Sequence, residues 1–295
     1  MSDAPAIEPG GSAPAIRHHY DVGNDFYAAW LDPSMTYSSA MWDGLPDDAS
    51  LEAAQARKLR YHAEALGAGP GMRILDIGCG WGSMMRTLIG EFGARECVGL
   101  TMSEQQAAAI AANQPAGIQV VLRNWHDFTP DGPFDGVVSI GAFEHFAHPE
   151  QSVEERREIY RRFFKSCLDW TNGGGRLSLQ TIAYGTMRPA ESNPFITEEI
   201  FPAAELPTLE DIVVASDGLF HIMRLRNDGR DYARTCEIWA RQLRAAAARG
   251  EVPGDPELIA RYQRYLLISA AGFRMRRIDL LRIRFDPIKR STYGT

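Results

Sequence analysis

From Met72 onward the chain alternates short, mostly apolar runs with longer amphipathic ones. Met72–Ile77 ends in glycine and predicts a buried strand, and Trp81–Phe92 has apolar residues at helical spacing. Cys97–Thr101 predicts a second strand and Ser103–Asn113 a second helix, with Ser103 placed to cap it. Ile118–Leu122 and Gly136–Ile140 are further strands. Glu154–Trp170 is a long amphipathic helix stopped by Asn172-Gly173-Gly174-Gly175, and Arg176–Ile182 follows as a strand. Such alternation predicts a parallel sheet with right-handed crossovers. The end of the chain changes style. Phe220–Arg226 and Leu280–Phe285 alternate apolar and polar residues, as half-buried antiparallel edge strands do. Between them Tyr232–Ala248, closed by Gly250, and Glu257–Phe273 read as helices. The expected fold is α/β and Rossmann-like: a mostly parallel sheet finished by an antiparallel pair, with inserted helices as a cap.

The pattern divides the chain into a disordered tail (1–15), an N-terminal helical cap (16–70), a cofactor-binding core (71–183), and lid helices with C-terminal strands (184–295). The tail is rich in Ala, Pro and Gly and lacks the basic start and apolar block of a secretory signal. His18–Tyr61 is aromatic-rich, with Tyr20, Phe26, Tyr27, Trp30, Tyr37 and Trp42.

Charge narrows the function. Across 295 residues, 31 Lys and Arg against 38 Asp and Glu give a formal charge of 31 − 38 = −7, which offers no global attraction for nucleic acid. Arg156, Arg157, Arg161 and Arg162 read as the wet face of one helix. No apolar run approaches a membrane span, and Cys79, Cys97, Cys167 and Cys236 lack metal-binding spacing, so buried thiols in a reducing cytoplasm are expected.

Leu75-Asp76-Ile77-Gly78-Cys79-Gly80-Trp81-Gly82 lies between a strand and a helix. Small residues there let the backbone turn sharply and approach a ligand. The spacing differs from the dinucleotide GxGxxG, and no Lys-Ser/Thr of a phosphate-binding loop follows. The second strand ends Val98-Gly99-Leu100-Thr101 without the acid that dinucleotide enzymes place near a ribose, while Thr101, Ser103 and Gln106 offer hydrogen bonds instead.

Several stretches together resemble the cyclopropane fatty acid and mycolic acid cyclopropane synthases. They are His19 to Tyr27, Leu31 to Ser38, Leu75 to Gly82, Gly99-Leu100-Thr101, Ser139 to Phe146, and Thr197 to Pro202. The resemblance implies S-adenosylmethionine (SAM) as cofactor and an alkene as carbon nucleophile. By position in those motifs it implies cofactor contacts at Tyr37, Ser38, Asp76, Gly78, Gly80, Gly82, Thr101, Met102, Gln106, Trp125 and Ile140, with His126 where the family usually has an acid.

An alkene that takes up a methyl cation needs positioned carbons, a dry site and stabilised positive charge. Aromatic faces and a carboxylate supply the last. Phe143, Glu144, Phe146, Tyr20, Tyr37, Trp42 and Tyr232 are candidates, and a lone acid among aromatics is costly to bury, which favours a function for Glu144. The resemblance further implies a bicarbonate base held by Cys, Glu, His and Tyr. Glu144 and Tyr232 match, but Ser39 stands for the Cys and Gln180 for the His. Neither carries an imidazolium charge, so bicarbonate should bind weakly and Glu144 could take the proton itself.

The connection from Ile182 to Thr197 is shorter than the lipid-covering segment of mycolic acid enzymes. A smaller lid suggests a specialised hydrophobic olefin, such as an isoprenoid or natural-product precursor. An acyl-lipid cyclopropane synthase is the alternative, with Leu243–Leu258 as another segment that could cover the pocket. Two further readings remain: an O- or N-methyltransferase with His145 as base, and a SAM-binding protein without catalysis.

Overall fold

The computed structural model describes residues 22–113, 116–201 and 204–289; the N-terminal tail and Tyr20 lie outside the described residues. After a short helix α1 (Asn24–Ala28), α2 spans Leu51–Leu66. Ser50 starts α2 by accepting from the Ala53 N–H, and left-handed Gly67 ends it. The doubly wound part follows as β1 (Arg73–Ile77), α3 (Ser83–Gly90), β2 (Glu96–Thr101), α4 (Glu104–Ala112), β3 (Ile118–Leu122), β4 (Gly136–Ile140), α5 (Val153–Trp170) and β5 (Arg176–Tyr184). Then come α6 (Leu209–Ser216), β6 (Phe220–Asn227), α7 (Gly229–Ala248), α8 (Pro256–Arg274) and β7 (Ile278–Pro287).

The seven strands lie in the order β3-β2-β1-β4-β5-β7-β6. The first five are parallel, and β7 pairs antiparallel with both β5 and β6. This is the Rossmann-like α/β sheet with an antiparallel C-terminal pair that the pattern predicts. The chain reverses its winding direction between β1 and β4, and such a switch point opens a crevice at the strands' carboxyl ends.

Local signals explain most boundaries. Ser103 caps α4 by accepting from Gln106 N–H, and Ser152 and Glu155 form a reciprocal capping box on α5. The helices Leu51–Leu66 and Leu209–Ser216 were not singled out by periodicity, although Thr208 and Asp211 form a second capping box at the latter.

Two expectations change. Of the antiparallel pair, only β6 is an edge strand. β7 is interior, with Leu280, Leu281, Arg282 and Ile283 all buried, so the apolar–polar alternation there reports a buried polar contact and not a wet face. The arginines of α5 are also not all solvated: Arg157 bonds Asp211 at 2.7 Å, and Arg161 bonds the Asp217 carbonyl at 2.8 Å, tying α5 to α6. The four cysteines are free and buried. No helix among the described residues is long and apolar enough to cross a membrane.

One core lies between the sheet and α5–α6. A second, built from Phe26, Tyr27, Trp30, Trp239, Tyr262 and their neighbours, joins the N-terminal segment to α7 and α8. Phe163 is fully buried in the first, with ring contacts to Trp125, Phe143, Phe146 and Phe164. Phe163→Ala is expected to cost about 3–5 kcal/mol, read as a lower denaturation midpoint in urea.

Candidate active site

At the carboxyl ends of β1, β2 and β4 the turn after β1 walls a cleft. The N–H groups of Gly78 and Cys79 both donate to the Leu100 carbonyl at 2.9 Å. Gly78 has φ +79°, and a Cβ there would lie 2.5 Å from the Ala142 Cβ, so both torsion and space require glycine. Asp76 is buried, and its Oδ2 has no hydrogen-bond partner. Burial pushes its pKa up to about 7 against the opposing pull of Lys58. Lys58, itself buried, donates to Ser38 Oγ at 2.9 Å; desolvation first, then the Arg282 charge, bring it down to about 7. Thr101 Oγ1 donates to Gln106 Oε1 at 2.7 Å.

Of the expected cofactor contacts, Tyr37, Ser38, Asp76, Gly78 and Gly80 line this cleft, as do Thr101, Met102, Gln106, Trp125 and Ile140. Gly82 does not: it takes a left-handed conformation as the N-cap of α3. His126 does not either: it lies in the short 3₁₀ helix Trp125–Asp127, with its Nδ1 2.9 Å from Asp127 Oδ1. Lys58 and Asn124 are lining residues that the motifs did not flag. A glycine turn permitting close approach, with a desolvated carboxylate oxygen seeking a partner, fits the cationic, amine-bearing SAM that the resemblance implies.

A second, largely apolar cavity of about 370 Å³ adjoins the cleft. The two share Tyr37, Ser38, Gly141 and His145 as walls. β5, residues 184–201 and 204–206, the facing sides of α7 and α8, and residues 275–280 leading into β7 enclose the rest. Residues of the connection from Ile182 to Thr197 therefore wall the cavity, with Phe201, Ala204 and Leu206 beyond it, and Leu243–Leu258 takes no part.

Glu144 faces this cavity from the turn after β4, where Gly141 has φ +73°. It is 5% exposed, accepts from Thr181 Oγ1 at 3.0 Å and from the Ile182 N–H at 3.5 Å, and burial raises its pKa to about 7. His145 lies beside it against the Phe201 ring, and burial lowers its pKa to about 4. Tyr232 lines the cavity and stacks on Phe273 with centroids 4.6 Å apart. Tyr37, Phe201 and Tyr265 add further aromatic walls.

Other candidates fall elsewhere. Phe143 is fully buried against Tyr160 of α5, and Trp42 lies under the Arg234 guanidinium; neither lines the cavity. Phe146 lines the cofactor cleft instead. Ser39 is 0% exposed, lines neither cavity, and donates its hydroxyl proton to the Ala40 carbonyl at 3.0 Å.

Gln180 does line the cavity, but a fully buried arginine stands behind it. Arg282 Nε donates to Gln180 Oε1 at 2.8 Å, Nη1 to Asp228 Oδ2 at 2.5 Å, and Nη2 to the carbonyls of Ala40 at 2.9 Å and Ser39 at 3.2 Å. His62 Nε2 lies 3.4 Å from the same Gln180 oxygen, and its Nδ1 lies 2.8 Å from Ser178 Oγ. The motifs point to Gln180 and Ser39 but not to Arg282, His62 or Asp228, which join them here.

Bicarbonate does not fit these residues. Each nitrogen of Arg282 already faces a protein acceptor, the Ser39 hydroxyl is spent, Gln180 is neutral, and the Glu144 carboxylate would repel an anion.

Residues 10–283 match the family model for mycolic acid cyclopropane synthetase. The chain is 35% identical over 284 residues to cyclopropane mycolic acid synthase 2 of Mycobacterium bovis, covering 90% of this chain and 92% of that one. The solved structure of cyclopropane synthase MmaA2 from Mycobacterium tuberculosis superposes with a TM-score of 0.83 at 32% identity, covering 94% of this chain and 99% of that one. Mycolic acid cyclopropane synthase CmaA1, solved with S-adenosylhomocysteine (SAH) and CTAB, gives a TM-score of 0.82 at 32% identity and the same coverage.

Gly78→Ala is expected to weaken SAH binding about tenfold or more in a calorimetric titration, since the added methyl must displace Ala142 from the cleft wall.

Proposed function

The chain belongs to the mycolic acid cyclopropane synthetase family, and on that premise we propose that it adds a one-carbon unit to a C=C bond in the acyl chain of a lipid. It is a SAM-dependent methyltransferase. One observation carries the reading: a buried carboxylate, Glu144, stands on the wall of an apolar cavity where that cavity meets the cofactor cleft.

Bound SAM supplies an electrophilic methyl carbon, and an alkene carbon beside the new bond is left electron-deficient. This chain's residues do the rest. Asp76 and the Gly78–Gly80 turn hold the cofactor, with Tyr37, Ser38, Thr101, Met102, Gln106, Trp125 and Ile140 around it. The apolar walls exclude water and bring the double bond to the shared boundary. Tyr37, Tyr232 and Tyr265 bring aromatic rings to the wall near which positive charge develops. Glu144, fixed by Thr181 and Ile182, accepts the proton whose departure closes a ring or forms a new double bond.

A pKa of about 7 suits that task, because a base works best when its pKa is near the working pH. His145, at about 4, is a poor base near neutrality, which disfavours oxygen or nitrogen methylation through it. An isoprenoid or other small olefin, suggested by the short connection, is less well supported than an acyl lipid. A cavity of about 370 Å³ with mainly apolar walls is within the about 300–1,000 Å³ of ordinary ligand pockets, and the similar proteins are mycolic acid enzymes.

Incubation with SAM and a monounsaturated acyl lipid is expected to give a product one CH₂ heavier by mass spectrometry. Methylation of oxygen or nitrogen acceptors alone would overturn the reading. Glu144→Gln is expected to lower kcat by about 10²–10⁴-fold while leaving SAH affinity unchanged.

In wild type, kcat is expected to rise with pH through about 7 as Glu144 ionises. Stability moves the other way. The folded-state pKa of Glu144 lies above the unfolded value of 4.5, so its contribution to folding is full below 4.5 and is lost as pH rises through about 7. Glu144→Gln removes this loss, and its Tm relative to wild type should therefore improve between acid and neutral pH, as followed by calorimetry.

A further inference from the structure

We propose that Arg282 makes this site independent of bicarbonate: its guanidinium locks Gln180 as a neutral donor, and Glu144 accepts the proton unaided. The inference rests on the alkene-methylating reading above for the proton it assigns.

The orientation of Gln180 follows from donor chemistry. Arginine has only N–H donors, so the group it meets at 2.8 Å must be the amide oxygen, and the Gln180 NH₂ faces away from Arg282. Among the described residues that NH₂ has no protein acceptor, and Gln180 lines the cavity. The same logic sets His62. Its Nε2 faces an oxygen already receiving the Arg282 proton, so Nε2 carries its hydrogen and Nδ1 accepts from Ser178. Burial first, and the Arg282 charge next, hold His62 well below its ordinary pKa and hence neutral. The charge of Arg282 is matched by Asp228 at 2.5 Å, with Asp231 at 3.9 Å. The one arginine that itself lines the cavity among the described residues, Arg277, pairs with Glu191 at 3.6 Å, so neither arginine is an uncompensated cation there.

The proton balance needs no added base. The C–H bond of the cationic substrate breaks and its electron pair forms the ring bond or the new double bond. The proton goes to the Glu144 carboxylate and returns to solvent as product leaves.

Arg282 also predicts that a histidine at position 180 would not restore anion binding by itself. The ring nitrogen facing Arg282 would have to present a lone pair, and the imidazole would stay neutral, as His62 does. The test is ¹³C-bicarbonate titrated into the SAH-loaded protein and followed by NMR line width. Wild type and Gln180→His are expected to show no saturable broadening. Gln180→His combined with Arg282→Gln is expected to show it, since Asp228 keeps Arg226 as partner and is not orphaned by the change. Arg282→Met serves as the alternative replacement if the glutamine variant folds poorly, judged by SAH affinity. Saturable binding by wild type or by Gln180→His alone overturns the proposal, as does its absence from both double variants. Turnover of the acyl lipid should also agree within a factor of about two in CO₂-stripped and bicarbonate-supplemented buffer. Failure of all olefins to react would remove the proposed function and leave the binding result to stand by itself.

Discussion

The structure turns on the desolvation of carboxylates at the carboxyl ends of its central strands. Asp76 is the penultimate residue of β1 and Glu144 follows β4; both are nearly inaccessible and both are driven up to about 7 by burial. A folded chain retains such groups at a cost, because a buried acid gives up hydration that protein hydrogen bonds only partly replace. Asp76 keeps an oxygen without a partner, and Glu144 has one short and one long bond. Both deficits lie at the switch point of the sheet, where a ligand can make them good.

The second half of the molecule keeps that site dry and oriented. β7 carries Arg282 into the interior beside β5, and the α7 start brings Asp231, with Asp228 just ahead of it. Their ion pair is fully enclosed on the arginine side, an arrangement worth little net stability but with strict geometry. It ties Ser39 and Ala40 of the N-terminal segment, Gln180 of β5 and the α7 start to one group. The aromatic core of Trp30, Tyr37 and Trp239 then seals α7 against the same segment. The antiparallel end of the sheet therefore does more than finish a fold; it supplies the backing of the apolar cavity.

This division explains what was legible in the sequence. Parallel strands buried on both faces produce apolar runs, and their turns need glycine, so β1, β2, β4 and β5 and the cleft residues Asp76, Gly78, Gly80, Thr101 and Gln106 were legible, whereas Gly82 was not a cleft residue but a helix cap. Glu144 stood out because an acid between aromatics conflicts with its surroundings. Long-range polar partners leave no periodic trace. Arg282 is separated from Gln180 by 102 positions and from Ser39 by 243, and its strand looked like a half-exposed alternation because the polar residue in it was assumed to face water. Ser39 was read as a site donor from its place in a motif, yet its hydroxyl turns to the neighbouring carbonyl once Arg282 occupies the space behind it.

Position in a motif and availability for chemistry are therefore separate facts. At two positions of the proposed proton-accepting site the chain departs from what the resemblance implies: Ser39 offers a hydroxyl where a thiol is implied, and Gln180 an amide where an imidazole is implied. Together with Arg282 they form a closed set. An imidazolium beside a buried guanidinium would be two unscreened cations in low dielectric, whereas an amide gives its oxygen to the arginine and keeps its NH₂ for the cavity. Neutral Gln180 and His62 are what a buried Arg282 demands of its neighbours, and a carboxylate with a pKa near neutrality is the base that the proposed reaction has where each cation is already paired.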